Sequence, residues 1–174
     1  MYKVYPKIIL ACLLLVMTGT VYSQRVTQTI NDGWKFSLFE GDASTADFDI
    51  SGWTDVSIPH TWNAKDADDE IPGYFRGKGW YRKLVTVEEL IPEQRVYLSF
   101  EGANQETNVF VNGTFVGNHK GGYSAFTFDV TDYVHAGRNL IAVSVDNSHN
   151  PDIAPLSADF TFFGGIYRDV YLVY

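Results

Sequence analysis

The fold is decided most sharply by the stretch Val109-Phe110-Val111-Asn112-Gly113-Thr114-Phe115-Val116. Its Asn-Gly pair lies between two apolar runs. A type I′ turn needs positive φ at both central residues, and Asn-Gly adopts such a turn readily. The stretch therefore predicts a β-hairpin that turns at Asn112-Gly113. Asn112-Gly113-Thr114 also spells an N-glycosylation acceptor, which we interpret as turn chemistry.

Outward from this hairpin, the chain contains further segments with the period-two alternation of strands. The alternating segments are residues 96–100, 126–130 and 140–145, and residues 80–87 and 166–173 are additional strand candidates. Gly, Asn and Asp separate them, and no long helical period follows the first residues. This pattern predicts an all-β sandwich, for which we favour a jelly roll.

Two polar segments between the strands are predicted to be loops. Residues 40–52 form the first, and residues 63–79 form the second, which is long enough to be functional or mobile. The second carries Asp66, Asp68, Asp69 and Glu70. Their carboxylates are ligands that calcium favours, but their spacing is not that of an EF-hand, so we interpret them as a solvated acidic loop.

The first 23 residues have the pattern of an export signal. Lys3 and Lys7 precede an apolar run at residues 8–17, and Val21-Tyr22-Ser23 offers a cleavage site. The run is short for a membrane span, although an uncleaved anchor is the alternative. Cys12 lies inside the run, where a lipidated cysteine is not expected. We therefore predict a signal peptide at residues 1–23, a mature domain at residues 24–174, and a secreted or periplasmic location.

The charge of the chain excludes one class of partner. Loss of Lys3 and Lys7 with the leader would change the formal net charge from −8 to −10. An acidic chain has no electrostatic footprint for nucleic acid, so no nucleic-acid partner is predicted. Once the signal peptide is removed, no membrane contact is predicted for the mature form. Aromatic residues make up 16% of the chain, which suits both pleated sheets and carbohydrate surfaces.

One stretch has the chemistry of a sugar site. It is Asp159-Phe160-Thr161-Phe162-Phe163-Gly164-Gly165-Ile166-Tyr167-Arg168-Asp169-Val170. A carboxylate accepts hydrogen bonds from sugar hydroxyls, and aromatic rings cover the apolar C–H faces of a sugar. The alternative for Asp159 is a loop cap bonded to nearby backbone N–H groups.

The residues give no sign that this chain is catalytic by itself. A glycosidase usually needs two carboxylates that flank the scissile bond, and no acid pair here has a recognisable catalytic context. The four histidines, at positions 60, 119, 135 and 149, are scattered without metal spacing. No catalytic residue, metal or cofactor is therefore predicted.

Five landmarks in order give the mature chain a family resemblance. They are Ile30-Asn31-Asp32-Gly33-Trp34-Lys35-Phe36, the segment from Trp53 to Ile58-Pro59-His60-Thr61-Trp62, Gly79-Trp80-Tyr81-Arg82-Lys83, the hairpin continued to Gly121-Gly122-Tyr123, and the stretch from Asp159 to Val170. Together they resemble the N-terminal sugar-binding domain of glycoside hydrolase family 2, which includes β-galactosidases, β-glucuronidases and β-mannosidases. The details are most similar to secreted β-galactosidase-like enzymes.

The resemblance implies a galactose-binding-domain-like jelly roll and an accessory role. In the family, the acid at the position of Asp159 reaches into the active site of a neighbouring barrel, and in some β-galactosidases it also ligates sodium. The same resemblance implies a retaining mechanism with two glutamates on a (β/α)₈ barrel. The chain alone is then expected to be inactive, and its partners would be a carbohydrate substrate and missing C-terminal Ig-like and barrel domains.

Arg76 is the second predicted substrate-binding residue. In some β-galactosidases the corresponding loop offers an Asn to the substrate, and the nearest match here is Arg76 or Lys78. This departure leaves the sugar specificity open; the resemblance implies galactose first, with glucuronic acid and mannose behind. A basic residue suits an acidic sugar, but it can also pair with the acids at 66–70 or remain a solvated charge.

Two alternative functions fit the same residues. The second hypothesis is a free-standing carbohydrate-binding module that uses Trp and Tyr faces as sugar platforms. The third is a structural domain whose exposed patch docks a partner chain or barrel. The order of the five landmarks favours the multidomain glycosidase over both.

Overall fold

The computed structural model describes residues 25–66, 73–157 and 159–174. The predicted signal peptide lies outside these described residues, as do Asp68, Asp69 and Glu70. Within them the chain forms ten strands and one short 3-10 turn at Thr131–Tyr133. The strands are β1 (Thr27–Thr29), β2 (Trp34–Leu38), β3 (Thr54–Val56), β4 (Lys78–Val87), β5 (Tyr97–Phe100), β6 (Glu106–Val111), β7 (Thr114–Lys120), β8 (Phe126–Asp129), β9 (Gly137–Asp146) and β10 (Val170–Val173).

The strands form two antiparallel sheets. One sheet has four strands in the order β1-β10-β5-β8, and the other has six in the order β3-β2-β4-β9-β6-β7. Every neighbouring pair is antiparallel. The first and last strands lie side by side, with Thr27 opposite Val173. The predicted all-β jelly-roll sandwich is confirmed.

The core lies between the inner faces of the two sheets. Phe100 and Leu172 of the smaller sheet and Val109 and Val143 of the larger sheet are all fully buried. Each such side chain contributes about 1.5–3 kcal/mol through the apolar surface it removes from water. The alternation seen in the sequence therefore corresponds to inward-facing positions.

The outer face of the larger sheet is covered as well. The predicted loop at residues 40–52 crosses it, and the Trp80 indole N–H donates to the Gly41 carbonyl at 3.0 Å. Ala43 of the loop and Ala142 of β9 are fully buried where the loop meets the sheet, and Phe48 of the loop packs against the same cluster. β9 is consequently buried on both faces, which the alternation of its residues does not reveal.

The hairpin at Asn112-Gly113 is confirmed. β6 and β7 pair around it, and φ is 52° at Asn112 and 81° at Gly113, as a type I′ turn requires. The Asn112 side-chain amide also donates to the Tyr133 carbonyl at 2.9 Å, and its oxygen accepts from Leu140 N at 2.9 Å. Asn112 thus both forms the turn and binds it to the sandwich.

The predicted strand at residues 166–173 is wrong in its first half, because β10 begins only at Val170. The preceding residues bond to different segments: Ile166 O accepts from His60 N at 2.8 Å, whereas Asp169 O accepts from Glu101 N at 3.0 Å. Alternation marks which side chains are apolar, but it does not show that two different segments share the backbone hydrogen bonds.

Candidate functional site

Three loops meet at one end of the sandwich, where β4 begins and β9 ends. They are residues 61–66, 73–77 and 159–165. Lys78, the first residue of β4, lies opposite Asp146, the last residue of β9. The loop before β4 and the segment after β9 therefore start from adjacent points. This brings Arg76 and Asp159, the two predicted site residues, to the same end of the sandwich.

Arg76 lies over two aromatic rings in this end of the molecule. Its guanidinium carbon is 4.8 Å from the centre of the Tyr74 ring and 5.4 Å from that of Phe162, and Nη2 donates to the Tyr74 hydroxyl. Such cation–π contacts hold a cation in place while leaving part of it accessible. Arg76 is half-buried, so its position is more defined than that of a solvated charge.

Asp159 lies at the outer end of the aromatic run. Asp159 is exposed, as are Phe160 and Phe163 at 53% and 47%. Phe162 is buried, and its ring meets that of Phe160 edge-on at 5.3 Å. The Arg76 guanidinium lies over the Phe162 ring, and Asp159 precedes Phe162 by three residues in the same loop.

A buried asparagine joins these loops beneath the surface. Asn63 is 2% exposed, and its side-chain oxygen accepts from Gly164 N at 2.6 Å. Its amide nitrogen donates to the Phe75 carbonyl at 2.8 Å and to Asp66 Oδ2 at 2.7 Å. No feature of the local sequence distinguishes Asn63 from a turn asparagine, so the sequence predicts no role for it.

The prediction that Asp66 is a solvated acid is wrong, because its carboxylate accepts hydrogen bonds within the domain. Besides Asn63, its Oδ2 accepts from Phe75 N at 2.8 Å, so the carboxylate bridges two loops. The reason is local: the backbone of the 73–77 loop returns beside residue 66 and presents an N–H group that needs an acceptor. Asp66 therefore supports the loop that carries Arg76.

The Gly164-Gly165 pair fits against two aromatic side chains, Trp62 and Tyr81. A Cβ at Gly164 would lie 2.2 Å from Trp62 Cζ2, and one at Gly165 would lie 2.5 Å from the Tyr81 hydroxyl. Trp62 stacks on Phe36 with ring centres 5.9 Å apart. Only glycine lets the backbone approach these rings so closely, which explains the Gly-Gly pair in the sequence.

The Tyr81 hydroxyl lies between His60 and the backbone that follows the glycines. Ile166 N donates to it at 3.4 Å, and His60 Nδ1 lies 2.8 Å away. Burial raises the pKa of Tyr81 well above its ordinary value, so the hydroxyl keeps its proton. The hydroxyl can then donate to Nδ1, and on this basis we assign His60 as the neutral tautomer protonated at Nε2.

This arrangement predicts a loss of stability at mildly acidic pH. Burial lowers the pKa of His60 below its ordinary value of about 6.5, and burial lowers that of His119 in the same direction. As pH falls through about 6.5, the unfolded chain binds more protons than the folded chain, so the free energy of unfolding decreases. We expect urea unfolding to show this decrease between about pH 7.5 and about pH 5.5.

The matched variant is His60→Gln, which retains an acceptor for the Tyr81 hydroxyl but cannot be protonated. Its free energy of unfolding should fall less steeply over the same pH range, the remaining slope including the contribution of His119. Equal slopes for the two proteins would contradict the assignment of a buried, neutral His60.

In residues 25–66, 73–157 and 159–174, no three His, Cys, Asp or Glu side chains come together as metal ligands do. The same residues include no helix long and apolar enough to cross a membrane.

The fold and this loop end place the chain in a known class of protein. The family model described as "Glycosyl hydrolases family 2, sugar binding domain" matches residues 27–174. The chain belongs to this family, which confirms the resemblance drawn from its five landmarks.

Several relatives have glycosidase names. A putative β-glucuronidase of Formosa agariphila is 37% identical over 97% of this chain, and a β-galactosidase of Thermoanaerobacter pseudethanolicus is 40% identical over 84%. The solved structure of Bacteroides uniformis β-glucuronidase 2, covalently bound to cyclophellitol-6-carboxylate aziridine, is 47% identical over 86% of this chain with a TM-score of 0.79. The chain spans only 21%, 19% and 18% of these three proteins, respectively.

Proposed function

We propose that residues 24–174 are the N-terminal sugar-binding domain of a longer, secreted glycoside hydrolase. In this proposal Asp159 and Arg76 form one edge of the pocket that binds the non-reducing-end sugar. The observation that carries it is their common position at the loop end of a family 2 sugar-binding domain: Arg76 lies over the Phe162 ring, and Asp159 adjoins Phe160, whose ring meets that of Phe162.

The chemistry of this edge suits a sugar. The exposed Asp159 carboxylate can accept hydrogen bonds from two hydroxyls, which gives it a directional grip on a ring. The exposed faces of Phe160 and Phe163 supply apolar surface for the C–H groups of a sugar. An edge built this way orients a substrate and breaks no bond.

Bond cleavage would then belong to another part of the parent enzyme. Glycosidases use paired carboxylates, which a barrel domain would supply. The lengths of the relatives support this division, because the chain spans about a fifth of each. Export of the parent rests on the signal-like residues 1–23.

For the sugar itself, we propose a β-glucuronide first and a β-galactoside as the alternative. The relatives carry both names. Arg76 favours the acidic sugar, because its guanidinium can pair with a sugar carboxylate while its flat face rests on Tyr74 and Phe162.

The test is a set of variants in the whole glycosidase, assayed on 4-nitrophenyl β-D-glucuronide and 4-nitrophenyl β-D-galactoside. We expect Asp159→Asn to lower kcat/KM by about tenfold or more on the substrate that is turned over, since the charge-assisted bonds to hydroxyls contribute about 1.5–3 kcal/mol each. If the sugar is acidic, Arg76→Gln should lower kcat/KM on the glucuronide and leave residual galactoside turnover unchanged.

Asp132→Asn is the matched control, because Asp132 is an exposed acid in the turn at Thr131–Tyr133, which contacts the Asn112 turn at the end of the sandwich where β9 begins. It should leave kcat/KM within about twofold of the parent value, as surface substitutions away from a site usually do. The purified 174-residue chain should hydrolyse neither substrate. Hydrolysis by the chain alone, or unchanged kinetics for Asp159→Asn, would overturn the proposed function.

A further inference from the structure

A second buried asparagine, Asn147, lies directly after β9 and is 1% exposed. Its side-chain oxygen accepts from Gly77 N at 2.8 Å. Its amide nitrogen lies 3.3 Å from the Phe75 carbonyl oxygen and 3.2 Å from that of Phe162. One side chain therefore bonds the backbone on both sides of Arg76 and also the backbone of the loop that follows Asp159.

Asn63 completes the connection. Its oxygen accepts from Asn147 Nδ2 at 3.3 Å as well as from Gly164 N. The Phe75 carbonyl accepts from both asparagines. The two loops are thus joined through a shared pair of buried amides, although their residues are far apart in the sequence.

We propose that Asn147, together with Asn63, is a positioning residue for the sugar site: the amide pair couples the Arg76 loop to the Asp159 loop and sets the spacing between the two candidate sugar contacts. This inference rests on the proposed function. Asn147 is too deeply buried to touch a substrate itself, so its effect on the substrate passes through the loops.

An amide is the group that this junction requires. Gly77 N needs an acceptor, whereas the Phe75 and Phe162 carbonyls need donors, and a carboxamide offers both from one planar group. A carboxylate would offer no donor, and an alanine would offer neither. Because unpaired polar groups are costly in a buried site, we expect the loops to move apart when the amide is lost, so that their backbone N–H and carbonyl groups can bond to water instead.

The chain contains a matched control in Asn139, at the other end of β9. Asn139 is fully buried and also bonds backbone groups in both directions: its oxygen accepts from His135 N at 3.0 Å, and its nitrogen donates to the His135 and Gly137 carbonyls at 2.7 and 3.0 Å. Eight residues of extended strand place it roughly 26 Å from Asn147. It matches Asn147 in burial and chemistry but lies far from the proposed site.

The first measurement is amide hydrogen exchange in the 174-residue chain by NMR. In Asn147→Ala we expect exchange at Gly164 N–H to rise roughly tenfold or more relative to Val143 in the core, the change that one lost buried hydrogen bond produces. The bond from Gly164 to Asn63 is not itself removed, so this rise reports coupling. Asn63→Ala should raise exchange at Gly77 N–H for the reciprocal reason, and Asn139→Ala should raise neither.

The second measurement is steady-state kinetics of the whole glycosidase. Asn147→Ala should raise KM about tenfold with kcat changed by less than about threefold, because a displaced pocket edge weakens binding without altering the groups that break the bond. Asn139→Ala should change neither constant. If Asn147→Ala does not fold, the isosteric Asn147→Asp keeps the acceptor for Gly77, loses both donors, and is compared with Asn139→Asp.

The outcomes separate the two ideas. Unchanged Gly164 exchange in Asn147→Ala, or equal kinetic effects of Asn147→Ala and Asn139→Ala, would overturn the positioning role. If Asp159→Asn leaves the kinetics unchanged, the proposed function fails and the positioning role falls with it, whatever the exchange rates show. If Asp159→Asn raises KM but Asn147→Ala does not, only the positioning role is overturned.

Discussion

Gly165→Ala is expected to lower the free energy of unfolding by roughly 2 to 6 kcal/mol, which combines about 1–3 kcal/mol of backbone strain with a similar amount from overpacking. Gly165 has a φ of +116°, which side-chain-bearing residues rarely adopt. Its new Cβ would also lie 2.5 Å from the Tyr81 hydroxyl and 2.7 Å from the His60 carbonyl oxygen. Urea unfolding of the 174-residue chain measures the loss.

Gly137→Ala separates the two causes. Gly137 has a φ of +96°, but no atom lies within 4 Å of a Cβ built there. It should therefore lose only the backbone part, about 1–3 kcal/mol. Equal losses for the two variants would show that the loop at Gly165 moves freely away from Tyr81 and His60, contrary to the close fit described here.

Trp34→Ala is expected to cost about 3–5 kcal/mol, the range found when a large aromatic side chain is removed from a core. Trp34 is fully buried, its indole N–H donates to the Ile30 carbonyl at 2.7 Å, and its ring meets that of Tyr81 edge-on. Since domains are stable by only about 5–15 kcal/mol, the variant should be partly unfolded or unfold at much lower urea.

Trp34→Phe serves as the comparison. It keeps most of the apolar volume and loses the bond to Ile30, which should cost about 1–3 kcal/mol for the unpaired carbonyl together with the smaller ring. Circular dichroism during urea titration distinguishes the three proteins. A similar midpoint for Trp34→Ala and the parent chain would contradict the placement of Trp34 in the core.

The fold was predictable because its signals are local. Asn112-Gly113 requires the turn that it forms, and the alternating runs at β5 and β9 do supply the core. The failure at residues 166–169 has a physical cause: their apolar side chains resemble those of a strand, but the carbonyl of Ile166 bonds to His60 in another segment. The cover over the outer face of β9 is likewise a tertiary feature.

The candidate site was predictable only in part. Asp159 and Arg76 stood out because charge beside aromatic residues is visible in the sequence, and the family resemblance indicated where to look. The junction beneath them was not visible, because Asn63 and Asn147 are 84 residues apart and each resembles an ordinary turn residue. The burial of both residues and the bond between them arise only when the chain is packed.

The pairing of β1 with β10 has a mechanical consequence. Val26 and Tyr174 exchange backbone hydrogen bonds at 2.9 and 2.8 Å, so these two bonds hold the two chain segments together at this point. Fraying that starts at either residue breaks the same two bonds. If the fraying spreads along β1, one side of β10 loses its partner strand and becomes an exposed sheet edge.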